Sequence, residues 1–299
     1  MSNEIKSYQC LICRSTGYDS FLESKDYFFT LETFRIVRCK SCGFLSTFPH
    51  PSMEEIHKYY KTEKYISHSD QLDQSLMTRL YHWVRNIMLN KKYRLISREF
   101  SMPGRILDIG SGTGYFIKYM QDRHWIAEGV EPDENARKYA FDKFNLRMID
   151  PQEWLKDEEL EYWDCITMWH VLEHVHSPDV YLEHIYKQLK HKGSLWIALP
   201  NPDSFDAGFW KEYWAAWDLP RHLWHFAPDK IIELAGNHGF ALKAMHRLPF
   251  DLFYVSWLSG RYKKTLHPLY FLTASILGTI SSSLNLLKTS SLIYHFKKL

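Results

Sequence analysis

The spacing of apolar residues divides the chain into three parts. Residues 1–50 alternate short apolar runs with turns. Residues 51–100 carry apolar side chains at helical spacing, and no strand pattern competes there. From residue 101 onward, buried-type strands alternate with helical patterns, which is typical of a parallel sheet. We therefore predict an N-terminal module over 1–50, a helical connector over 51–100 and an α/β domain over 101–299.

The same pattern predicts the elements of the α/β domain. Its strands are expected at 105–109, 127–130, 165–169, 194–199, 240–246 and 291–296. Its helices are expected at 115–123, 135–144, 180–190 and 230–237. Two regions depart from this rhythm: an aromatic excursion over 205–224, and an insertion at about 250–289 before the last strand. Long excursions in compact domains usually carry function, so both are candidates for substrate or partner contacts.

Composition narrows the function classes only slightly. Of the 299 residues, 45% are hydrophobic, which is enough for a substantial core. The formal net charge of +2 gives no sign of a nucleic-acid coat or a strongly acidic substrate. The first residues lack the basic end and apolar run of a secretion signal, so we expect a cytoplasmic protein with reduced cysteines.

Two CxxC pairs stand in the N-terminal module. They contain four of the five cysteines: Cys10, Cys13, Cys39 and Cys42. Four thiolates form a tetrahedral zinc site, and Gly43 permits the tight turn after the second pair. Zn²⁺ would stabilise a module too short for a large core. A redox function is disfavoured because neither pair opens a helix after a strand. Residues 1–50 are therefore predicted to be a ribbon with structural zinc.

A glycine-rich turn follows the first strand of the α/β domain. Its alternating positions are Asp108, Gly110, Gly112 and Gly114. Such a turn brings the backbone close to a ligand and points free helix N–H groups at it. The dinucleotide fingerprint GxGxxG is disfavoured because Tyr115 occupies the place of its third small residue. Glu131, at the end of the next strand, supplies a carboxylate for ribose hydroxyls.

These residues resemble the first motifs of class I methyltransferases that use S-adenosylmethionine (SAM). The resemblance implies a Rossmann-like sheet of seven strands, largely parallel with one antiparallel strand. It also implies that the glycine turn supports the amino-acid end of SAM. The stretch from Asp164 to Val175 resembles the post-strand motif of ubiquinone-biosynthesis O-methyltransferases, which would place Trp169 against the cofactor.

In some quinone O-methyltransferases, two glutamates and a histidine of this post-strand motif are thought to hold a divalent cation. Here the first position is His170, followed by Glu173 and His174. This departure favours the alternative in which Glu173 and His174 cap and pack a turn near the cofactor.

The stretch from Pro220 to Phe226 resembles the substrate-covering insertion of zinc-ribbon methyltransferases from sugar and polysaccharide gene clusters. Removing a proton from a hydroxyl or a carbon acid needs a base of near-neutral pKa, which imidazole provides. The candidate bases are His222, His225 and His170, and each could instead satisfy a backbone carbonyl. The resemblance further implies that the ribbon and residues 51–100 help to enclose the substrate, and that Tyr65 reaches the cofactor.

The late insertion is apolar and has a basic border. No charged residue lies between Leu266 and Leu287, although Pro268, Gly278 and Asn285 make the stretch too polar for a membrane span. The flanking cations are Arg261, Lys263, Lys264, Lys288, Lys297 and Lys298. Residues 252–289 are therefore expected either to lie on anionic lipid at the inner face of the membrane, or to pack on the domain or form a homodimer.

Together these features predict a SAM-dependent methyltransferase acting on an oxygen or carbon of a small molecule. The resemblance points to a sugar, a nucleotide-sugar or a lipid-linked glycan. Three alternatives stay open: a quinone-type O-methyltransferase, an RNA methyltransferase that binds through the ribbon, and a cofactor-binding protein without catalysis. The ribbon is only mildly basic, which disfavours RNA.

Overall fold

The structure, a computed structural model, describes residues 8–60, 76–264 and 268–299. These residues form two sheets. The strands are β1 (Tyr18–Lys25), β2 (Thr33–Cys39), β3 (Leu45–Thr47), β4 (Arg105–Ile109), β5 (Ile126–Val130), β6 (Met148–Ile149), β7 (Trp163–Trp169), β8 (Leu189–Pro200), β9 (Trp224–His225), β10 (Phe240–Arg247) and β11 (Ser291–Lys298).

The helices within the described ranges connect and cover these strands. They are α1 (Met53–Ile56), α2 (Leu76–Ser97), α3 (Tyr115–Gln121), α4 (Glu134–Phe144), α5 (Pro151–Trp154), α6 (Pro178–Gln188), α7 (Phe205–Trp210), α8 (Pro228–Asn237), α9 (Asp251–Tyr262) and α10 (Pro268–Leu284). Short 3₁₀ turns occur at His57–Tyr59, Lys211–Tyr213, Ala215–Trp217 and Leu286–Lys288.

The large sheet has the strand order β10-β11-β8-β7-β4-β5-β6. Neighbouring strands from β8 to β6 run parallel, whereas β11 is antiparallel to both β8 and β10. Helices cover a sheet of this kind, so its central strands are mostly apolar. Ile166, Met168, Leu195 and Ile197 accordingly have no solvent exposure. The predicted Rossmann-like sheet of seven strands with one antiparallel strand is confirmed.

The small sheet joins two distant parts of the chain. β1, β2 and β3 are consecutive and antiparallel, and β9 then pairs with β3 from the other side. Because β9 belongs to the aromatic excursion, the N-terminal module is bonded directly to the α/β part. We call residues 205–226 the aromatic cover.

The late insertion folds into two packed helices, α9 and α10, which we call the helical hairpin. The two helices approach closely at Gly278, where a Cβ would lie 2.8 Å from Leu252 Cδ1. In the part of the chain that the structure describes, no helix combines the length and the apolar character needed to cross a bilayer.

Candidate active site

The glycine turn joins β4 to α3 with left-handed backbone. Gly110, Gly112 and Gly114 have φ values of +72°, +53° and +80°, which glycine adopts at little cost. A Cβ at Gly110 would lie 2.3 Å from a methyl group of Val171, whereas a Cβ at Gly112 would meet no atom within 4 Å. The turn is therefore tightly packed at Gly110 and open at Gly112, where a ligand can approach the backbone.

Glu131 lies beside this turn and is 7% exposed. Its Oε2 accepts a hydrogen bond from the Gly112 N–H at 2.7 Å, and its Oε1 accepts one from the Asp133 N–H at 2.9 Å. Burial raises the pKa of Glu131 despite these bonds. Each carboxylate oxygen keeps a further lone pair, so the pair of oxygens suits the two hydroxyls of a ribose.

Asp108, Trp169 and Lys92 form a group at the carboxyl ends of β4 and β7. Asp108 Oδ1 accepts from the Thr167 hydroxyl at 2.6 Å, and burial raises the pKa of Asp108 to about 7. The Lys92 ammonium lies 4.4 Å from the centre of the Trp169 ring, and burial lowers the pKa of Lys92 to about 8. Trp169 Nε1 is a buried donor with no acceptor among the described residues. An orphaned donor beside an open glycine turn and a ribose-type carboxylate fits SAM.

His170 is held between two carboxylates. Its Nε2 lies 3.2 Å from Asp251 Oδ2, and its Nδ1 lies 3.5 Å from Glu173 Oε1. Although burial works against it, bonding to Asp251 and Glu173 raises the pKa of His170 to about 10. A residue in this state is an imidazolium at neutral pH and has no lone pair with which to accept a proton.

His222 is 8% exposed and its tautomer is fixed by the backbone. Its Nδ1 lies 2.9 Å from the Ala216 carbonyl oxygen, and a carbonyl can only accept, so Nδ1 carries the proton. Nε2 of the neutral ring therefore has a free lone pair. Asp218 Oδ2 lies 3.8 Å from this Nε2.

His225 has the opposite tautomer. The Thr47 hydroxyl donates to the His222 carbonyl oxygen at 2.6 Å, so it must accept from His225 Nε2 at 3.1 Å. Burial lowers the pKa of His225 well below its usual range. The ring joins β9 to β3 and packs edge-on against Trp217, with the ring centres 5.1 Å apart.

Glu173, His174 and His222 form a group that we call the histidine cluster. One donor atom from each lies within 4.8 Å of the others. The Glu173 side chain is 1% exposed; its Oε1 lies 3.5 Å from the His170 Nδ1, and neither carboxylate oxygen has a closer donor in the described chain. His174 Nδ1 lies 3.1 Å from the Arg221 carbonyl oxygen and 3.0 Å from the Tyr60 hydroxyl; in the tautomer that donates to the carbonyl, Nε2 keeps its lone pair. The three members of the cluster thus present proton acceptors to one another at close range, and such an arrangement binds a proton or a metal cation.

Arg221 connects the aromatic cover to the N-terminal module. Its guanidinium, 2% exposed, bonds to both Asp218 oxygens at 3.0 and 2.6 Å and to Asp26 Oδ1 at 3.2 Å. A fourth bond of 3.1 Å reaches the Tyr59 carbonyl oxygen. Arg221 therefore fixes Asp218, and with it the electrostatic surroundings of His222.

The four cysteines of the CxxC pairs converge as a metal site requires. Cys10 and Cys42 Sγ lie 3.5 Å apart, as do Cys13 and Cys39 Sγ, and all four sulfurs lie within 4.8 Å of one another. Tetrahedral zinc with bonds of about 2.3 Å separates its sulfurs by roughly 3.8 Å. Gly43 has φ +77°, as the tight turn needs. The residues fit a four-coordinate ion such as zinc.

Sequence reasoning missed several contributors to the site. Lys92 stands in an ordinary basic stretch, so no sequence signal distinguishes it. Asp251 and Asp218 gain their significance only from distant partners, although Asp251 is unusual as the sole acidic residue after Glu233. Tyr65, predicted to reach the cofactor, lies outside the described residues.

Buried neutral histidines predict acid sensitivity. Burial lowers the pKa of His174 and of His295 to about 4. A histidine whose pKa falls from about 6.5 to 4 on folding contributes stability that is present above pH 6.5 and is lost as the pH falls toward 4. The full loss is about 3 kcal/mol for one such group. We expect the denaturant concentration at the midpoint of unfolding to fall as the pH is lowered from 6.5 to 4.

Replacing His295 by Phe tests the contribution of this one histidine. In the native protein the centres of the His295 and Trp196 rings are 3.9 Å apart and the rings are stacked, and Phe keeps a ring in this place that cannot take up a proton. Between pH 6.5 and 4, H295F should lose less stability than the native protein in denaturant titrations. Equal losses would contradict the assignment. The comparison cancels the protonation of thiolates, which affects both proteins equally.

The strand order, the glycine turn and Glu131 define a class I SAM-dependent methyltransferase. A family model described as a methyltransferase domain matches residues 80–244, and the chain belongs to this family.

Two curated relatives and one solved structure agree with this class. The chain is 32% identical over 113 residues to a tRNA U34 carboxymethyltransferase of Dichelobacter nodosus, covering 36% of each chain. It is 25% identical over 165 residues to a ubiquinone biosynthesis O-methyltransferase of Pelagibacter ubique, covering 51% of this chain and 68% of the relative. The match to the tRNA carboxymethyltransferase thus spans only about a third of that enzyme's length. The structure of magnesium protoporphyrin IX methyltransferase from Synechocystis PCC 6803 superposes with a TM-score of 0.54 at 10% identity, covering 83% of this chain and 100% of that one. At this identity the likeness concerns the fold alone.

Proposed function

We propose that the protein transfers the methyl group of SAM to an oxygen or carbon of a small acceptor, and that His222 is the general base. The acceptor class that we propose is a sugar, a nucleotide-sugar or a lipid-linked glycan. The observation that carries the base assignment is the His222 tautomer, since its Nδ1–H is bound to Ala216 and its Nε2 lone pair is free. The sugar class rests on the resemblance of the Pro220–Phe226 stretch and is the part that the experiment below tests.

SAM supplies a sulfonium methyl that is already activated for transfer, so the protein's tasks are alignment and proton removal. Glu131 and the glycine turn bind the cofactor. His222 takes the acceptor proton onto Nε2, and Glu173 and Asp218 stabilise the resulting imidazolium. His174 does not compete for the proton, because burial and the neighbouring His222 lower its pKa to about 4.

The aromatic cover limits water around this base. Trp214, Trp224 and Phe226 are buried and line, with His222, a small, partly enclosed cavity next to Glu173 that has room for roughly one water molecule. A low-dielectric wall strengthens the interaction of the imidazolium with its carboxylates.

The alternative for the histidine cluster is a divalent cation, because three acceptor groups meet there. The two cases differ in their response to metals. If His222 is the base, turnover is indifferent to Mg²⁺ and to a chelator that leaves the ribbon ion in place. Loss of turnover with the chelator and recovery with Mg²⁺ would assign the cluster to a cation.

We also propose that Zn²⁺ occupies the four-cysteine site as a structural ion. RNA as the substrate is disfavoured by the ribbon's surface, since three of its cations are paired with carboxylates: Arg14 with Asp179, Arg35 with Glu23 and Lys40 with Asp19. A carboxylate beside each of these cations offsets part of its attraction to phosphate.

The direct test is methyl transfer from labelled SAM to a panel of acceptors. The panel contains nucleotide-sugars, polyprenyl-linked sugars, a catechol-type quinone precursor and tRNA, with products analysed by mass spectrometry. We expect a methylated sugar product. A quinone or tRNA product would replace the proposed acceptor, and SAM binding without any product would support a non-catalytic binding protein.

Glu131→Ala is the cofactor control for this assay. Its match is Glu128→Ala, which changes an exposed side chain of β5, the strand that directly precedes Glu131. Loss of hydrogen bonds to a carboxylate should weaken SAM binding about 10- to 100-fold in E131A. E128A should bind as the native protein does in calorimetry.

A further inference from the structure

The helical hairpin has an unusual distribution of side chains. Its inward face is small and polar, whereas its outward face is large and apolar. Apart from Leu252, the buried inward residues are small: Ser256, Ser259, Gly260, Ala274, Ser275 and Gly278. The outward residues are Phe253, Tyr254, Trp257, Tyr270, Leu272, Ile276, Leu277, Ile280 and Leu284, which are 41–84% exposed. A soluble helical pair normally has the reverse arrangement.

The inward face of α9 is hydrogen-bonded to the domain. Ser256 accepts a hydrogen bond from Trp210 Nε1 at 3.2 Å, and Ser259 accepts one from the Ala215 N–H at 2.8 Å. Both partners belong to the aromatic cover. These hydrogen bonds fix the orientation of the hairpin. Because they hold its inward face against the domain, its apolar face points away from the domain.

The apolar face has a cationic border. Arg261, Lys263 and Lys264 are exposed at the end of α9, and Lys288 is exposed just beyond α10. The Arg261 guanidinium lies 5.0 Å from the centre of the Trp257 ring. The hairpin carries one acidic residue, Asp251, which is engaged with His170. Outward tryptophan and tyrosine beside cations match the chemistry of a headgroup layer.

We propose that the hairpin docks the protein on an anionic lipid bilayer, with the outward face in the headgroup region. Neither helix needs to cross the bilayer. Charge complementarity favours lipid over a second copy of the chain, because a two-fold contact through this face would bring the cations of both copies together. The proposal deepens the function proposed above, since docking would place the aromatic cover and the cavity behind it beside lipid-linked acceptors.

The test measures binding of the purified full-length protein to vesicles without any acceptor, so that its result is independent of the reaction. Phosphatidylcholine vesicles with and without phosphatidylglycerol are compared in flotation assays at low and high salt. We expect flotation with the anionic vesicles, reduced at high salt and weak with phosphatidylcholine alone. Absence of flotation with anionic vesicles at low salt would overturn the proposal.

Variants separate the two parts of the surface. Ile276→Glu with Ile280→Glu disrupts the apolar face, and Lys263→Glu with Lys264→Glu disrupts the cationic border. Each pair should weaken vesicle binding more than about tenfold. The matched control is Met102→Glu with Leu160→Glu, two residues 75% and 67% exposed away from the hairpin, which should bind as the native protein does. Native binding by both hairpin variants would refute the assignment of the surface.

Analytical ultracentrifugation of the same proteins tests whether a second copy of the chain covers the apolar face instead of lipid. A native dimer that becomes monomeric in I276E/I280E and does not float with vesicles would show that a second copy covers this face. Retained SAM binding in every variant shows that the domain is folded. If the protein binds anionic vesicles but methylates no acceptor of the panel, the proposed reaction is contradicted and the proposed docking is not.

Discussion

Replacing His222 by Asn should lower kcat by about 10²- to 10⁴-fold, which is the usual contribution of a general base. In the native protein the Ala216 carbonyl oxygen accepts from His222 Nδ1 at 2.9 Å. The side-chain amide of Asn can donate to the same oxygen. The variant therefore preserves the hydrogen bond and removes the free lone pair. SAM affinity should stay close to native, because the residues that fit the cofactor lie at the carboxyl ends of β4, β5 and β7.

His225→Gln is the matched control for this prediction. The Gln amide N–H can replace the His225 Nε2–H that donates to Thr47 at 3.1 Å, so kcat should stay within a few fold of native. Steady-state kinetics and SAM calorimetry on both variants provide the readout. Near-native kcat in H222N, or a large loss confined to H225Q, would move the base away from His222.

Loss of the ribbon ion should have the second large effect. Structural zinc contributes roughly 10–16 kcal/mol to the folding of small zinc modules, so Cys39→Ser or complete chelation should unfold β1, β2 and β3. β9 would then lose its partner strand, and His222, which stands two residues before β9, would lose its position. We expect kcat to fall below detection while SAM still binds to the large sheet.

Elemental analysis and SAM calorimetry test this prediction, with Cys165→Ala as the control. Cys165 is buried in β7 and distant in sequence from the two pairs, so C165A should retain one zinc per chain. Full turnover by zinc-free protein would show that the ribbon does not support the site. Loss of SAM binding together with zinc would show that the ribbon supports the large sheet as well.

Local sequence patterns predicted the large sheet well because each of its elements has its own periodicity. The six predicted strands all occur, with bounds that differ by at most five residues, and the one antiparallel strand that the family resemblance implied is β11. β6 was not predicted, since two half-buried residues at the edge of a sheet produce no periodic signal. The two-residue strand β9 was missed for the same reason.

The chemistry of the site was less predictable, because it depends on partners that are far apart in the chain. His170, His222 and His225 were equivalent candidates in sequence, each an imidazole near the expected site. They differ through Asp251, the Ala216 carbonyl and Thr47 respectively, and these contacts bridge up to 178 positions. Protonation and tautomer are therefore properties of the tertiary structure.

The pairing of β3 with β9 also affects how the chain folds during synthesis. Residues 45–47 leave the ribosome long before residues 224–225, and at about 5–20 residues per second the interval is roughly 10–35 s. During this time the edge of β3 has no partner strand and is exposed to other chains. A nascent ribbon would depend on early capture of its metal ion for protection against aggregation, and a truncated chain ending before residue 224 would carry this open edge permanently.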